Sequence, residues 1–317
     1  MPGDDPLPLH RAARPALGTL VHIEVQTATA ARAAAALHAA FAAIADCERK
    51  LSYYLPDSEL NRLHRLASQQ TQYVSPDTWE LLRHSLELAR RSAGAFDPTA
   101  IAALVRQGIR PAPPVTCPEA AATARWTDIE LLPSFQVRFR QPLWLDLGGI
   151  AKGYAVDQAI AALQAAGASA ACVNAGGDLR HFGPSPQPLL VRHPARPGEL
   201  LPLGLLADGA AATSATGFQH PDGPQAGQAV SPLYDPQRQT LAAAGPSVTV
   251  LAGQGWLADG LTKVVALWGT DAADLLAEYG AEAALLDASG NITASPGFWS
   301  HLGHPHAPQP PAPSGPA

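Results

Sequence analysis

The stretch Asp146 to Asp157, DLGGIAKGYAVD, carries the most chemically suggestive spacing in this chain of 317 residues. An apolar run, Leu143 to Leu147, reads as a strand. It ends in Gly148 and Gly149 and enters a helix expected from about Ala151 to Ala166. Glycines at such a turn allow positive φ and close backbone approach, and a helix N-terminus offers unpaired N–H groups to an anion. Lys152 adds a mobile cation beside the turn. Two readings stay open on these residues, a pyrophosphate cradle or an ordinary tight strand-to-helix turn. The spacing is neither GxxxxGK[ST] nor GxGxxG, so it is not a Walker loop or a dinucleotide fingerprint.

The elements that must position this turn follow from hydrophobic periodicity. Leu20 to Gln26 alternates as a strand after a turn at Gly18. Ala30 to Leu51 reads as a long helix with an apolar stripe at Leu37, Phe41, Ile44 and Leu51. Ser75-Pro76 is an N-cap and first-turn pair for a helix carrying Trp79, Leu82 and Leu86 and stopping at Gly94. Strands are expected at 126–131 and 135–140, a short one from Ala171 to Asn174, and more across 189–250. Two further helices are expected near 256–268 and 271–279, and a final hairpin turns at Ser289-Gly290-Asn291. Strands and helices mix without a βαβ rhythm, which predicts an α+β fold.

Composition narrows the function classes. There are 21 Lys and Arg against 27 Asp and Glu, so a net charge of −6 gives no broad attraction for nucleic acid or an anionic membrane. No run of about 18 apolar residues is seen, so no membrane span is expected. Cys47, Cys117 and Cys172 are far apart and form no CxxC, which argues for buried thiols rather than a zinc site or disulfide framework. The start, MPGDDPLPLHRAARPALG, lacks an apolar signal region and a lipobox-like cysteine, and the expected location is cytoplasmic. Residues 1–15 and the Pro-rich 304–317 read as flexible tails around one domain, 16–303.

DLGGIAKGYAVD also resembles the signature of the ApbE family, the FAD:protein FMN transferases. Other segments match that family's blocks in order: ALGT at Ala16, LSYYLPDSELNRLH at Leu51, GAFDPTA at Gly94, VNAGGDLR at Val173 and SVTVLAGQGWLADGLTKVVALWG at Ser247. The resemblance spans about residues 14–298. It implies an ApbE-type, T-fold-like arrangement of mixed sheets with packed helices. It also implies a reaction in which Mg²⁺ helps split the FAD pyrophosphate and FMN passes to a Thr or Ser hydroxyl of an acceptor protein, releasing AMP.

Carried over residue by residue, the resemblance puts the metal on the Gly149 carbonyl and Asp259. Lys152 falls near the phosphates, and Gly148, Gly176, Gly177, Asp178 and Ser214 line the flavin site, with Lys152 and Asp259 as the catalytic pair. Without the resemblance, Asp178 reads as a turn former and Asp259 as an exposed helix residue.

This chain departs from the family at several of those positions. Lys263 stands where the family has a metal-binding Thr. Either Thr262, on the same helix face, substitutes for it, or the Lys263 ammonium takes part of the metal's place. Pro232 replaces the His of the block H-x-x-DP-x-x-G, leaving His220, His193 and Ser231 as replacement bases by proximity in sequence. Ala215 replaces the Gly of the T-S-G turn. His64 replaces an Asn and reads as a surface helix residue, with a flavin contact as the alternative. Two alternatives to transfer follow, a non-catalytic FAD- or FMN-binding protein and a Mg²⁺-dependent FAD hydrolase giving FMN and AMP. The chain holds no acceptor-like motif, so self-flavinylation is not expected.

Overall fold

A computed structural model of the chain describes residues 7–196, 198–215, 218–219, 229–230, 233–243 and 245–303. Pro232, His220, Ser231 and the 304–317 segment lie outside the described residues. The helices that matter to the site are α1 (Ala30–Leu51), α2 (Glu59–Leu66), α3 (Pro76–Arg91), α4 (Ile101–Arg106), α5 (Ala151–Ala165), α6 (Gly255–Trp268) and α7 (Ala273–Glu278). α1 begins where its periodicity predicts, and α3 where its cap does. The Thr29 side chain accepts from the Arg32 N–H and the Ser75 side chain from the Thr78 N–H, with Pro76 in the first turn.

The centre of the molecule is an eight-stranded sheet in which every neighbouring pair is antiparallel. Its spatial order follows the chain: Leu9–Ala16, Thr19–Gln26, Ala170–Ala175, Asp178–Phe182, Gly209–Ser214, Ser247–Ala252, Glu282–Leu286, Ile292–Ala294. Strand alternation gives the sheet two apolar faces. On one face, Val21, Ile23 and Val173 pack on α1 and α5 through Ala36, Ile44, Val156 and Ile160. Farther along that face, Ala210, Ala212, Val248 and Val250 join the core that holds Ala258, Leu261 and Val265 of α6. The other face, with Leu179, Ala211 and Leu251, is covered by Leu189, Val191, Leu203 and Leu302 of a three-stranded sheet. The result is a three-layer arrangement of the α+β class that the element pattern predicts.

Three expectations change. The stretch 1–15 is not all tail, because Leu9–Ala16 is the edge strand of the main sheet, paired along its whole length with Thr19–Gln26. Its apolar signal is thin because five of its eight residues are exposed, Arg11 and Arg14 among them. Arg11 pairs with Glu24 at 2.6 Å and Arg14 lies over the Phe41 ring, while Ala12 and Ala16 pack inward. The stretch 126–131 opens as a 3-10 turn, Trp126–Asp128, before the strand Ile129–Leu132. The apolar run Leu143 to Leu147 is buried but joins no sheet. Its backbone bonds instead to side chains and loops, as described below.

By length and alanine content α1 is apolar enough to cross a membrane. Its Ala33, Ala36, Ala40, Phe41, Ile44, Cys47 and Leu51 are buried in this fold, and its last turns carry Asp46, Glu48, Arg49 and Lys50. It is a core helix of the sheet layer.

Candidate active site

The glycine turn is braced from three directions. The Asp146 carboxylate accepts from the Gly148 N–H at 2.8 Å, and the Asp146 N–H donates to the Pro98 carbonyl at 2.9 Å. Pro98 belongs to the GAFDPTA block, where Asp97 closes a local turn by accepting from the Thr99 N–H and hydroxyl. The Leu145 N–H donates to His64 Nε2 at 2.9 Å, so His64 carries its proton on Nδ1 and donates it to Asn61 Oδ1 at 3.1 Å. Asn61 in turn donates to the carbonyls of Tyr53 and Leu55. His64 is therefore a buried brace, not the surface residue expected from sequence, and burial pushes its pKa down to about 3. A ring nitrogen replaces the missing sheet partner for the run into the turn.

From that turn α5 runs against α6 at very short range. A Cβ on Gly255 would lie 2.5 Å from the Gly153 carbonyl oxygen, so glycine on both helices is what permits the crossing. Asp157, one turn farther along α5, caps α6 by accepting from the Gly255 and Trp256 N–H groups at 2.8 and 2.9 Å. Arg180 pairs with the same carboxylate at 2.7 Å. The roles of Asp157, Arg180 and His64 are missed by sequence reasoning. The motif that contains Asp157 was a signal for it, but nothing local pointed to α6 as its partner.

This crossing brings four charges together under the helix-facing side of the sheet. Lys152 Nζ lies 2.5 Å from Asp178 Oδ2 and 3.5 Å from Asp259 Oδ2. The other oxygen of Asp259, Oδ1, accepts from Lys263 Nζ. Asp259 and Asp178 are both buried, and Asp259 also accepts from the Gly153 N–H at 3.2 Å. Burial pushes the Asp259 carboxyl up, but Lys152 and Lys263 outweigh it and hold the group below the usual carboxylate range. Burial and repulsion from Asp259 push Asp178 the other way, above that range. Burial disfavours the charged form of Lys152, yet the two carboxylates overcome this and raise its pKa. Asp259 is thus a buried site residue, not the exposed helix residue its sequence alone suggests.

The remaining expected positions fall around this cluster. Gly149 lies under Lys263, since a Cβ there would be 3.3 Å from Lys263 Cε and 3.6 Å from the Phe96 ring. Gly176 and Gly177 form the turn before Asp178 with φ of +69° and +106°, a conformation that favours glycine. The Gly177 N–H donates to Asn174 and its carbonyl accepts from the Thr213 N–H at 3.1 Å, which places Ser214 at the same end of the sheet. Gly148 is exposed at the mouth of the turn. His193 does not join the cluster: it follows the strand Gln187–Arg192 of the opposite layer, buried beside Gly290, and its Nδ1 accepts from the Ala195 N–H.

Mg²⁺ needs oxygen ligands in a near-octahedral shell. The Asp259 and Thr262 oxygens assigned to it are already engaged. Lys263 Nζ donates to Asp259 Oδ1, to the Asp259 carbonyl at 3.1 Å and to the Thr262 hydroxyl at 3.0 Å. Thr262 donates its own proton to the Asp259 carbonyl at 2.7 Å. No group of three or more His, Cys, Asp or Glu with metal-binding geometry exists among the described residues. As these side chains stand, the set Gly149, Asp259 and Thr262 does not fit a divalent cation.

Paired lysines and aspartates at a glycine turn, set between two crossing helices and an antiparallel sheet, define a charged centre suited to a phosphate-bearing ligand. The model of the ApbE family matches residues 17–285, and the chain belongs to that family. It is 30% identical over 303 residues to a FAD:protein FMN transferase of Rhodobacter capsulatus, covering 90% of this chain but 57% of that protein. The chain thus spans little more than half the length of that relative. A FAD:protein FMN transferase of Haemophilus influenzae is 27% identical over 265 residues, covering 75% of this chain and 73% of that one. Among solved structures, the ApbE protein of Thermotoga maritima superposes with a TM-score of 0.79 at 24% identity, covering 94% of this chain and all of that one. The flavin transferase ApbE of Vibrio cholerae gives 0.76 at 22% identity, with 94% and full coverage. At these identities the structural matches establish the fold.

Proposed function

We propose that this protein transfers FMN from FAD to a Thr or Ser hydroxyl of an acceptor protein and releases AMP. In the balanced step, the acceptor oxygen bonds to the phosphorus on the FMN side of the pyrophosphate. The bond from that phosphorus to the bridging oxygen breaks, AMP leaves with that oxygen, and the hydroxyl proton is lost to a base or to water. The observation that carries the reading is the pair of ammonium groups, Lys152 and Lys263, held beside the Gly148-Gly149 turn by Asp178 and Asp259. Phosphoryl transfer depends mainly on positioning and charge neutralisation, which fixed cations supply. The two relatives named FAD:protein FMN transferase support the choice of donor and of a protein acceptor. No step of this proposal runs through a metal ion.

The test is to incubate the protein with FAD, with and without a domain bearing a flavinylation motif, and to quantify AMP by chromatography. The expected result is acceptor-dependent AMP together with a fluorescent acceptor band. AMP and free FMN formed equally without acceptor would replace the reading by FAD hydrolysis. FAD binding with no AMP would replace it by a flavin-binding role.

A further inference from the structure

Lys263 is one turn after Asp259 on α6, and its stem crosses Gly149. We propose that the Lys263 ammonium is the resident cation of this site, occupying the position a divalent ion would take and making binding of the FAD pyrophosphate independent of Mg²⁺. The choice of FAD as ligand rests on the function proposed above.

Three observations carry this. First, the ammonium has three N–H donors, and three oxygens receive them: Asp259 Oδ1, the Asp259 carbonyl and the Thr262 hydroxyl. The group is fully satisfied in place, as a bound ion would be. Second, Asp259 and Thr262 are buried and are the oxygens a metal would need, so a metal enters only by displacing an ammonium from its buried carboxylate. Third, charge is already balanced. Lys152 and Lys263 face Asp178 and Asp259, two of each sign. A divalent ion would add two positive charges beside two ammonium groups, with both carboxylates already paired. Gly149 contributes by having no side chain, since a Cβ there would crowd Lys263 Cε at 3.3 Å.

The decisive probe is Mn²⁺, followed by electron paramagnetic resonance on the full chain, which needs neither flavin nor acceptor. The wild-type protein is expected to leave the free Mn²⁺ signal unchanged at micromolar concentrations, and Lys263→Thr to remove one equivalent per chain. In parallel, FAD binding is measured by fluorescence quenching in EDTA and in Mg²⁺. Wild-type affinity is expected to be the same in both. Lys263→Thr is expected to bind roughly tenfold or more weakly in EDTA, because one positive charge near the pyrophosphate is lost, and to recover in Mg²⁺. Lys263→Met keeps the stem over Gly149 and is expected to lose FAD affinity in EDTA without gaining a Mn²⁺ site. One tight Mn²⁺ per wild-type chain would overturn the proposal, and so would a folded Lys263→Thr that gains none. If FAD fails to bind at all, the flavin reading falls while the Mn²⁺ titration still decides whether Lys263 holds the cation position.

Discussion

The Cβ that Gly153 lacks would fall 2.1 Å from the carbonyl oxygen of Gly255, so α5 and α6 meet backbone to backbone. This contact sets the distance at which Lys152 of one helix can reach Asp259 of the other. The charged cluster therefore depends on a packing detail in which no charged group takes part.

Gly153→Ala should consequently damage both stability and the site. The added methyl overlaps backbone, which cannot rotate away, and overpacking of this kind typically costs about 1–3 kcal/mol. Thermal melting should fall, and FAD affinity should fall with it. A variant that melts like the parent would show that the helices can separate without penalty.

Asp157→Ala should be destabilising through a different route. It leaves the first N–H groups of α6 without their cap and Arg180 without its partner, each tied to a charged hydrogen bond worth about 1.5–3 kcal/mol. Chemical denaturation measures the loss. Asp157→Asn should recover part of it, since one carboxamide oxygen still accepts.

Asp259→Asn removes the charge that holds two ammonium groups together. Breaking a buried ion pair on one side costs about 3–5 kcal/mol, so a marked drop in melting temperature is expected, with transfer lost in the folded fraction. Lys152→Gln leaves the buried Asp178 without its cation, so it should also lower the melting temperature, and it should abolish transfer in the folded fraction. Retention of full AMP formation by Lys152→Gln would remove Lys152 from the reaction.

His64 should make the protein sensitive to acid. Its folded pKa of about 3 lies below the ordinary histidine value of 6.5. The neutral ring is what the fold requires, so the unfolded chain binds the extra proton between those two values. Stability should be full above pH 6.5 and decline as pH falls toward 3, with a slope approaching ~1.4 kcal/mol per pH unit. Melting scans from pH 7 to pH 4 test this. His64→Gln should be less stable at pH 7 and should show a flatter pH dependence; an unchanged slope would assign the acid sensitivity to other groups.

Much of the fold was legible from local pattern. α1 carries its own periodicity and α3 a cap as well, so their starts could be read directly. The turns at Gly18 and Gly176-Gly177 could be read because positive φ favours glycine. The edge strand Leu9–Ala16 was not legible, since five of its eight residues are exposed and its pairing comes from a partner strand. The run Leu143 to Leu147 reads as a strand because four of its five residues are apolar and carry no sign of where their backbone bonds go.

The sequence by itself determined the family, most of the long helices and the residues of the glycine turn, because each is written in neighbouring residues. Lys263, read one turn after Asp259, already raised the question of what holds the cation position. Only the tertiary structure decided that Asp259 is buried, that His64 braces Leu145, and that Lys263 spends all three of its donors on the oxygens of Asp259 and Thr262. Those facts depend on residues far apart in the chain meeting across the Gly153–Gly255 crossing, and local spacing carries no information about such distances.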